Sequence, residues 1–138
     1  AAYTAIDTKD KAIGILSIKS VAIEAPIYKG TDEHTLDQGV GWIAGTTQVD
    51  GHGNVGLAAH RDGVFRGLKD IAVGDQVMLT TLKGEQHFRV TGTDIVDASE
   101  TYVLEPTNGK TLTLVTCHPF YFVGNAPNRF VVFATAIN

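Results

Sequence analysis

Apolar and polar residues alternate with a period of two along much of this chain, a pattern typical of half-buried β-strands. The segment 12–27, AIGILSIKSVAIEAPI, shows it first, with β-branched residues separated by smaller or polar neighbours. We predict two strands here, joined near Lys19 and Ser20.

The same pattern recurs to the end of the chain, and turn-forming residues separate the apolar runs. Seven or eight short strands in one chain predict an all-β fold, either a barrel or a sandwich. The later strands are NVGLAAH (54–60), QVMLTTL (76–82), EQHFRVTGTDIVD (85–97), TLTLVTC (111–117) and RFVVFATAI (129–137).

Two segments depart from the strand pattern. Residues 28–41, YKGTDEHTLDQGVG, are polar, and Thr31 is a candidate N-cap before acidic residues, so we predict a short helical turn followed by a loop. In RDGVFRGLKDIAVGD (61–75) the apolar spacing predicts a short helix closed by Gly74.

Composition indicates one compact domain. A chain of 138 residues buries about 70% of its unfolded surface, so we predict a single domain over 1–138 with a flexible segment at 1–11. The net charge of −4 and the lack of a Lys/Arg cluster argue against a nucleic-acid partner. The chain opens on Ala1 rather than Met, so we expect a piece of a longer precursor.

The chain has one cysteine, Cys117, at the end of a predicted strand, with Pro119 two positions later. A lone cysteine is either a small buried apolar residue or a reagent, and a reactive thiol needs a neighbour that stabilises the thiolate. His60 ends one predicted strand and Arg129 begins the last. If these strands are adjacent, thiolate attack by Cys117, proton transfer by His60 and oxyanion binding by Arg129 amount to acyl transfer through a thioester.

These residues lie in motifs that resemble those of bacterial sortases. TLVTC, followed by HPF, NAP and NRFVV, resembles the sortase signature TLxTC…R, and AAHRDGVFRGL resembles the histidine motif. Similar segments occur in order over about residues 12–138. The pattern CxPF…GxAPxR is most similar to class D sortases, although His118 stands where we expect tyrosine.

The resemblance implies a closed eight-stranded β-barrel with one or two short helices and a cysteine transpeptidase activity. It implies cleavage of a Leu-Pro-x-Thr-Gly-like or Leu-Pro-x-Thr-Ala-like sorting motif after threonine, then transfer to an amine acceptor of the cell envelope, such as a peptidoglycan cross-bridge or precursor. It also implies a place on the outer face of the bacterial membrane, with an N-terminal anchor outside this sequence.

The same resemblance assigns Cys117 as the nucleophile, His60 as the acid/base or ion-pair partner and Arg129 as the oxyanion ligand. We assign substrate binding to further residues around the cysteine: Thr116, His118, Phe120, Tyr121 and Asn128. We expect no cofactor and no metal, because the acidic residues before TLTLVTC lack diagnostic calcium-binding spacing.

Other readings of the same residues stay open. A cysteine peptidase would hydrolyse the same thioester if no amine entered the site, and a non-enzymatic β-barrel binding module would hold an inert thiol. Arg61 and Asp62, directly after His60, are candidates to orient the imidazole or to pair with each other.

Overall fold

The computed structural model describes residues 11–118 and 128–137, with the backbone alone at positions 117 and 118. Eight strands account for most of this part of the chain, together with one α-helix, α1 (Glu33–Gln38), and 3₁₀ helices at Lys19–Val21, Val64–Asp70 and Tyr102–Leu104. The strands are β1 (Gly14–Ile18), β2 (Ile23–Lys29), β3 (Val40–Trp42), β4 (Asn54–Ala58), β5 (Gln76–Thr81), β6 (Gly84–Asp97), β7 (Thr111–His118) and β8 (Asn128–Ala136).

The strands form a closed barrel in the order β1-β2-β3-β4-β7-β8-β6-β5, with β5 pairing back to β1. Closure leaves the sheet without unpaired edges. The pairs β2–β3 and β4–β7 are parallel, and the other neighbours are antiparallel. The predicted all-β, eight-stranded barrel is confirmed, and the sequence pattern located all but the short β3.

The core fills the barrel because alternate residues of each strand point inward. Leu16, Ile27, Leu79 and Phe88 are fully buried, and they come from four different strands. A second, smaller cluster of Val96, Val103 and Val131, with Leu104 and Phe133 packed against it, joins the segment between β6 and β7 to the sheet.

The segment between β4 and β5 differs from its predicted form. It is a 3₁₀ helix that ends at Asp70, whereas Gly74 lies in a later turn at φ 98° and donates its N–H to the Val90 carbonyl. Gly67 explains the close packing here, because a Cβ at this position would lie 2.6 Å from the Val21 carbonyl oxygen. Phe65 and Leu68 from this helix are fully buried in the main core.

Two predicted boundaries also shift. The N-cap of α1 is Asp32 rather than Thr31, because the Asp32 carboxylate accepts a hydrogen bond from the Thr35 N–H at 3.0 Å. Strand β4 ends at Ala58, so His60 lies in the turn after the strand. The predicted flexible segment lies outside the described residues except for Lys11.

Candidate active site

His60 follows β4 on a backbone that is held from several sides. The Ala59 N–H donates to the Val115 carbonyl at 3.3 Å, and the buried Thr116 hydroxyl donates to the Ala59 carbonyl at 2.8 Å. The His60 carbonyl accepts from the N–H groups of Gly63 and Phe65, at 3.2 and 3.3 Å. The turn that carries the histidine is therefore fastened both to β7 and to the 3₁₀ helix that follows.

The backbone register places the three candidate positions on neighbouring elements. Cys117 of β7 lies directly opposite Arg129 of β8 in the antiparallel ladder. On the other side of β7, the parallel ladder with β4 pairs Ala58 with Val115. His60 and Cys117 each lie two residues beyond that last pair, so both strands run out toward the same end of the barrel.

Thr116 and Asn128 occupy the positions next to these residues. Thr116 is 2% exposed, and its hydroxyl donates to the carbonyl of Ala59, the residue before His60. This hydrogen bond supports the His60 turn. Asn128 lies opposite His118 in the ladder and is half-buried. Phe120 and Tyr121 lie outside the described residues, as does the side chain of His118.

Arg129 is half-buried, and its guanidinium donates to the Asn128 carbonyl at 3.0 Å. Asp97, at the end of β6, pairs with Asn128 in the ladder on the other side of β8. The backbone N–H of Ser99 and then its hydroxyl lower the pKa of Asp97 below its ordinary value, and the positive charge of Arg129 lowers it further. An ionised carboxylate therefore lies near the arginine.

Sequence reasoning missed one neighbour of His60. The carboxylate of Asp37, on α1, lies 3.3 Å from Nε2 of the histidine. The sequence offered only Arg61 and Asp62 as candidates, either to orient the ring or to pair with each other. Among the ion pairs found within residues 11–118 and 128–137, the partner of His60 is Asp37. The sequence held no signal for this contact, because the place of α1 beside the β4 turn depends on the pairing of β3 with β2 and with β4.

The other histidines and the acidic residues before β7 lie on the surface of the described part of the chain. His34, His52 and His87 are exposed, as their polar surroundings in the sequence predicted. Within the part of the chain that the structure describes, no group of three or more His, Cys, Asp or Glu side chains could hold a metal ion. Asp94, Asp97, Glu100 and Glu105 are exposed, as expected for a solvated acidic face.

Comparison with known proteins decides the family. The Sortase domain model matches residues 16–137. The chain belongs to the sortase family. It is 38% identical over 128 residues to Sortase D of Bacillus subtilis, an alignment covering 92% of this chain and 65% of that protein. With Sortase A of Listeria monocytogenes it shares 33% identity over 118 residues, covering 79% and 50% of the two chains.

Solved sortase structures share the barrel of this sortase. A Sortase D5 transpeptidase of Clostridium perfringens superimposes with a TM-score of 0.83 at 26% identity, covering 98% of this chain and 85% of that chain. Sortase A from Corynebacterium diphtheriae gives 0.86 at 29% identity, covering 94% and 62%. The predicted similarity to class D sortases is confirmed.

This sortase spans between half and two thirds of the length of the two curated relatives named above, at 65% and 50%. A bilayer-spanning helix needs about 20 apolar residues. None of the helices in the described ranges is long and apolar enough for that.

Proposed function

We propose that this sortase is a cysteine transpeptidase. It cleaves a Leu-Pro-x-Thr-Gly-like or Leu-Pro-x-Thr-Ala-like motif after threonine and transfers the threonyl acyl group to an amine of the cell envelope. The observation that supports this most directly is the register that pairs Cys117 with Arg129, beside the turn that carries His60. Similarity to Sortase D of Bacillus subtilis and to a Sortase D5 transpeptidase of Clostridium perfringens supports the same reaction class.

The chemistry proceeds in two balanced steps. The Cys117 thiolate attacks the threonine carbonyl, and the tetrahedral oxyanion receives hydrogen bonds from the Arg129 guanidinium. The C–N bond then breaks, and the leaving amine takes a proton from the His60 imidazolium, which leaves a thioester on the sulfur. In the second step an acceptor amine attacks the thioester, gives its proton to His60 and releases the thiolate.

The neighbouring residues have supporting roles in this proposal. Thr116 fixes the His60 turn through the Ala59 carbonyl, and Asn128 precedes the arginine at the start of β8. The residues that remain candidates for substrate contact are Thr116, His118, Phe120, Tyr121 and Asn128. We further propose that the enzyme acts on the outer face of the membrane, tethered by an N-terminal segment, on proteins that carry a C-terminal sorting motif. It needs no cofactor in this mechanism.

The test is acylation of the cysteine by a defined peptide. The protein is incubated with Leu-Pro-x-Thr-Gly and Leu-Pro-x-Thr-Ala peptides, and intact mass spectrometry detects an adduct of the acyl fragment on Cys117. We expect the adduct in the wild type and none in a Cys117→Ala variant with an unchanged circular dichroism spectrum. Substantial cleavage by that variant, or no acylation by any peptide, would refute the mechanism.

Two further measurements separate the alternatives. A cysteine peptidase forms the same adduct but yields the same free acid with or without an added amine, whereas a transpeptidase yields the amide when amine is present. A binding module with an inert thiol predicts that iodoacetamide alkylates Cys117 no faster than a model thiol at pH 7. We expect faster alkylation, because the proposed site stabilises the thiolate.

A further inference from the structure

The imidazole ring of His60 is contacted by a residue of α1, whereas Cys117 lies on β7 and Arg129 on β8. The Asp37 carboxylate lies 3.3 Å from Nε2 of the imidazole. The side chain of His60 is 34% exposed and that of Asp37 is 67% exposed, so the contact lies at the rim of the site. The separation is that of an ion pair, slightly longer than the roughly 2.7–3.2 Å usual for an N–H···O hydrogen bond.

The hydrogen bonds around the backbone of His60 do not set the orientation of its imidazole ring. Hydrogen bonds from Gly63 and Phe65 fix the carbonyl, and those through Ala59 fix the preceding peptide. None of these bonds restricts rotation of the side chain, which sets where the two ring nitrogens lie. A contact to Nε2 supplies that restriction.

Helix α1 is held firmly enough to place a carboxylate. Asp32 caps its first turn, and the Gly39 N–H closes its last by donating to the Thr35 carbonyl at 3.3 Å. The chain then enters β3 directly at Val40, which is fully buried. Gly41 packs so closely that a Cβ there would lie 2.9 Å from the Leu36 side chain. The backbone that carries Asp37 is therefore held against the barrel.

We propose that Asp37 is a positioning residue for His60 and acts on the reaction only through it. The carboxylate, 3.3 Å from Nε2, favours the ring form that carries its proton on Nε2 and leaves Nδ1 as the nitrogen that exchanges a proton with the thiol and the leaving amine. The kinetic part of this inference rests on the proposed function. Because both partners are partly exposed, solvent limits the effect to a factor of about two to five.

Helix α1 supplies a matched control for the test. Glu33 is also an exposed carboxylate, and it lies four residues before Asp37, so Glu33→Ala removes the same charge from the same helix. Alanine favours helix, so neither Asp37→Ala nor the control should unfold α1. Asp37→Asn keeps an oxygen that accepts the Nε2–H and removes the charge.

The first measurement does not need a substrate. In protein labelled with ¹⁵N-histidine, long-range ¹H–¹⁵N spectra of the neutral ring report which nitrogen carries the proton, and a His60→Gln variant assigns the signals. We expect the Nε2–H form of His60 in the wild type, in Glu33→Ala and in Asp37→Asn, and a clear shift of both ring nitrogens in Asp37→Ala. Identical spectra in Asp37→Ala and the wild type would overturn the proposal.

The second measurement is the rate of peptide transfer. We expect Asp37→Ala to lower kcat about two- to five-fold with KM unchanged, Asp37→Asn to restore at least half of the loss, and Glu33→Ala to match the wild type. If Asp37→Asn is as slow as Asp37→Ala, the residue acts through charge and the positioning role is wrong. A wild type that transfers nothing refutes the proposed function, and the ring spectra still decide the contact.

Discussion

Asn54 connects three parts of the barrel through one buried side chain, and replacing it should be costly. Its amide nitrogen donates to the Val103 and Glu105 carbonyls, both at 3.0 Å. Its amide oxygen accepts from the hydroxyls of Thr111 and Thr113, at 3.2 and 2.8 Å. The residue is 3% exposed, so β4, β7 and the β6–β7 segment meet at a buried side chain whose polar atoms all have partners.

The size of the effect follows from what each partner keeps after an Asn54→Ala change. Thr111 retains a contact with the Thr107 hydroxyl at 2.8 Å, and the exposed Glu105 gives its carbonyl access to water. Thr113 is 2% exposed and Val103 is 6% exposed, so the Thr113 hydroxyl and the Val103 carbonyl each lose a hydrogen-bond partner at a buried position. Two buried groups left unsatisfied at about 1–2 kcal/mol each predict a loss of about 2–4 kcal/mol.

Urea denaturation followed by tryptophan fluorescence measures this loss, and Asn108→Ala is the matched control. Asn108 is exposed on the same β6–β7 segment, so its replacement should change the free energy of unfolding by less than about 0.5 kcal/mol. We also expect faster amide exchange in residues 98–110 of Asn54→Ala. A loss below about 1 kcal/mol would show that the four hydrogen bonds do not act as described.

Three other changes test the site and its support. Thr116→Val removes the buried hydroxyl that donates to the Ala59 carbonyl, and it should lower the free energy of unfolding in urea by about 1–3 kcal/mol. The control Thr93→Val, at an exposed position of β6, should lower it by less than about 0.5 kcal/mol. Equal losses in the two variants would contradict the role of Thr116. Arg129→Lys should lower kcat for peptide transfer about 100-fold, because an ammonium cannot replace the planar fork; near wild-type transfer would remove the arginine from the mechanism. Ser99→Ala should raise the pKa of Asp97, measured by NMR titration. Since the folded-state pKa of Asp97 is lowered, its ionised form adds stability above the unfolded pKa, and that stability is lost as pH falls through the folded pKa. In Ser99→Ala this contribution should be smaller, and its loss should be complete at a higher pH.

The strands were predictable because alternation is a local property of the sequence. Most inward residues of β1, β5 and β7 are apolar for the same reason that they are buried, so the pattern and the burial largely coincide; Thr81 and Thr116 are the buried polar exceptions on the inward faces of β5 and β7. Which strands pair is not local. The parallel pairing of β4 with β7 joins residues 57 positions apart, as Asn54 and Thr111 show. Neither segment has a sequence feature that indicates which strand it pairs with.

The three motif positions of the candidate site were predictable from the sequence. The residues that hold them in place, such as Asp37, were not. His60, Cys117 and Arg129 lie in recognisable motifs, and their roles as catalytic residues stay predictions until the peptide experiments are done. Asp37 lies on a polar helix with no motif, and its contact with His60 depends on where α1 is placed by the barrel. The helix after His60 was expected from apolar spacing, but its 3₁₀ form and the close approach of Gly67 to Val21 were not.

Strand β8 is the last strand in sequence, yet it lies between β7 and β6, with eight residue pairs to one neighbour and nine to the other. A ribosome makes the chain from its N-terminus, so every shorter nascent chain lacks the strand that joins the two halves of the barrel. β6 and β7 would both present unpaired edges until residues 128–136 are available. Arg129 arrives on that same strand, so the proposed thiol chemistry and the closed fold become complete at the same moment of synthesis.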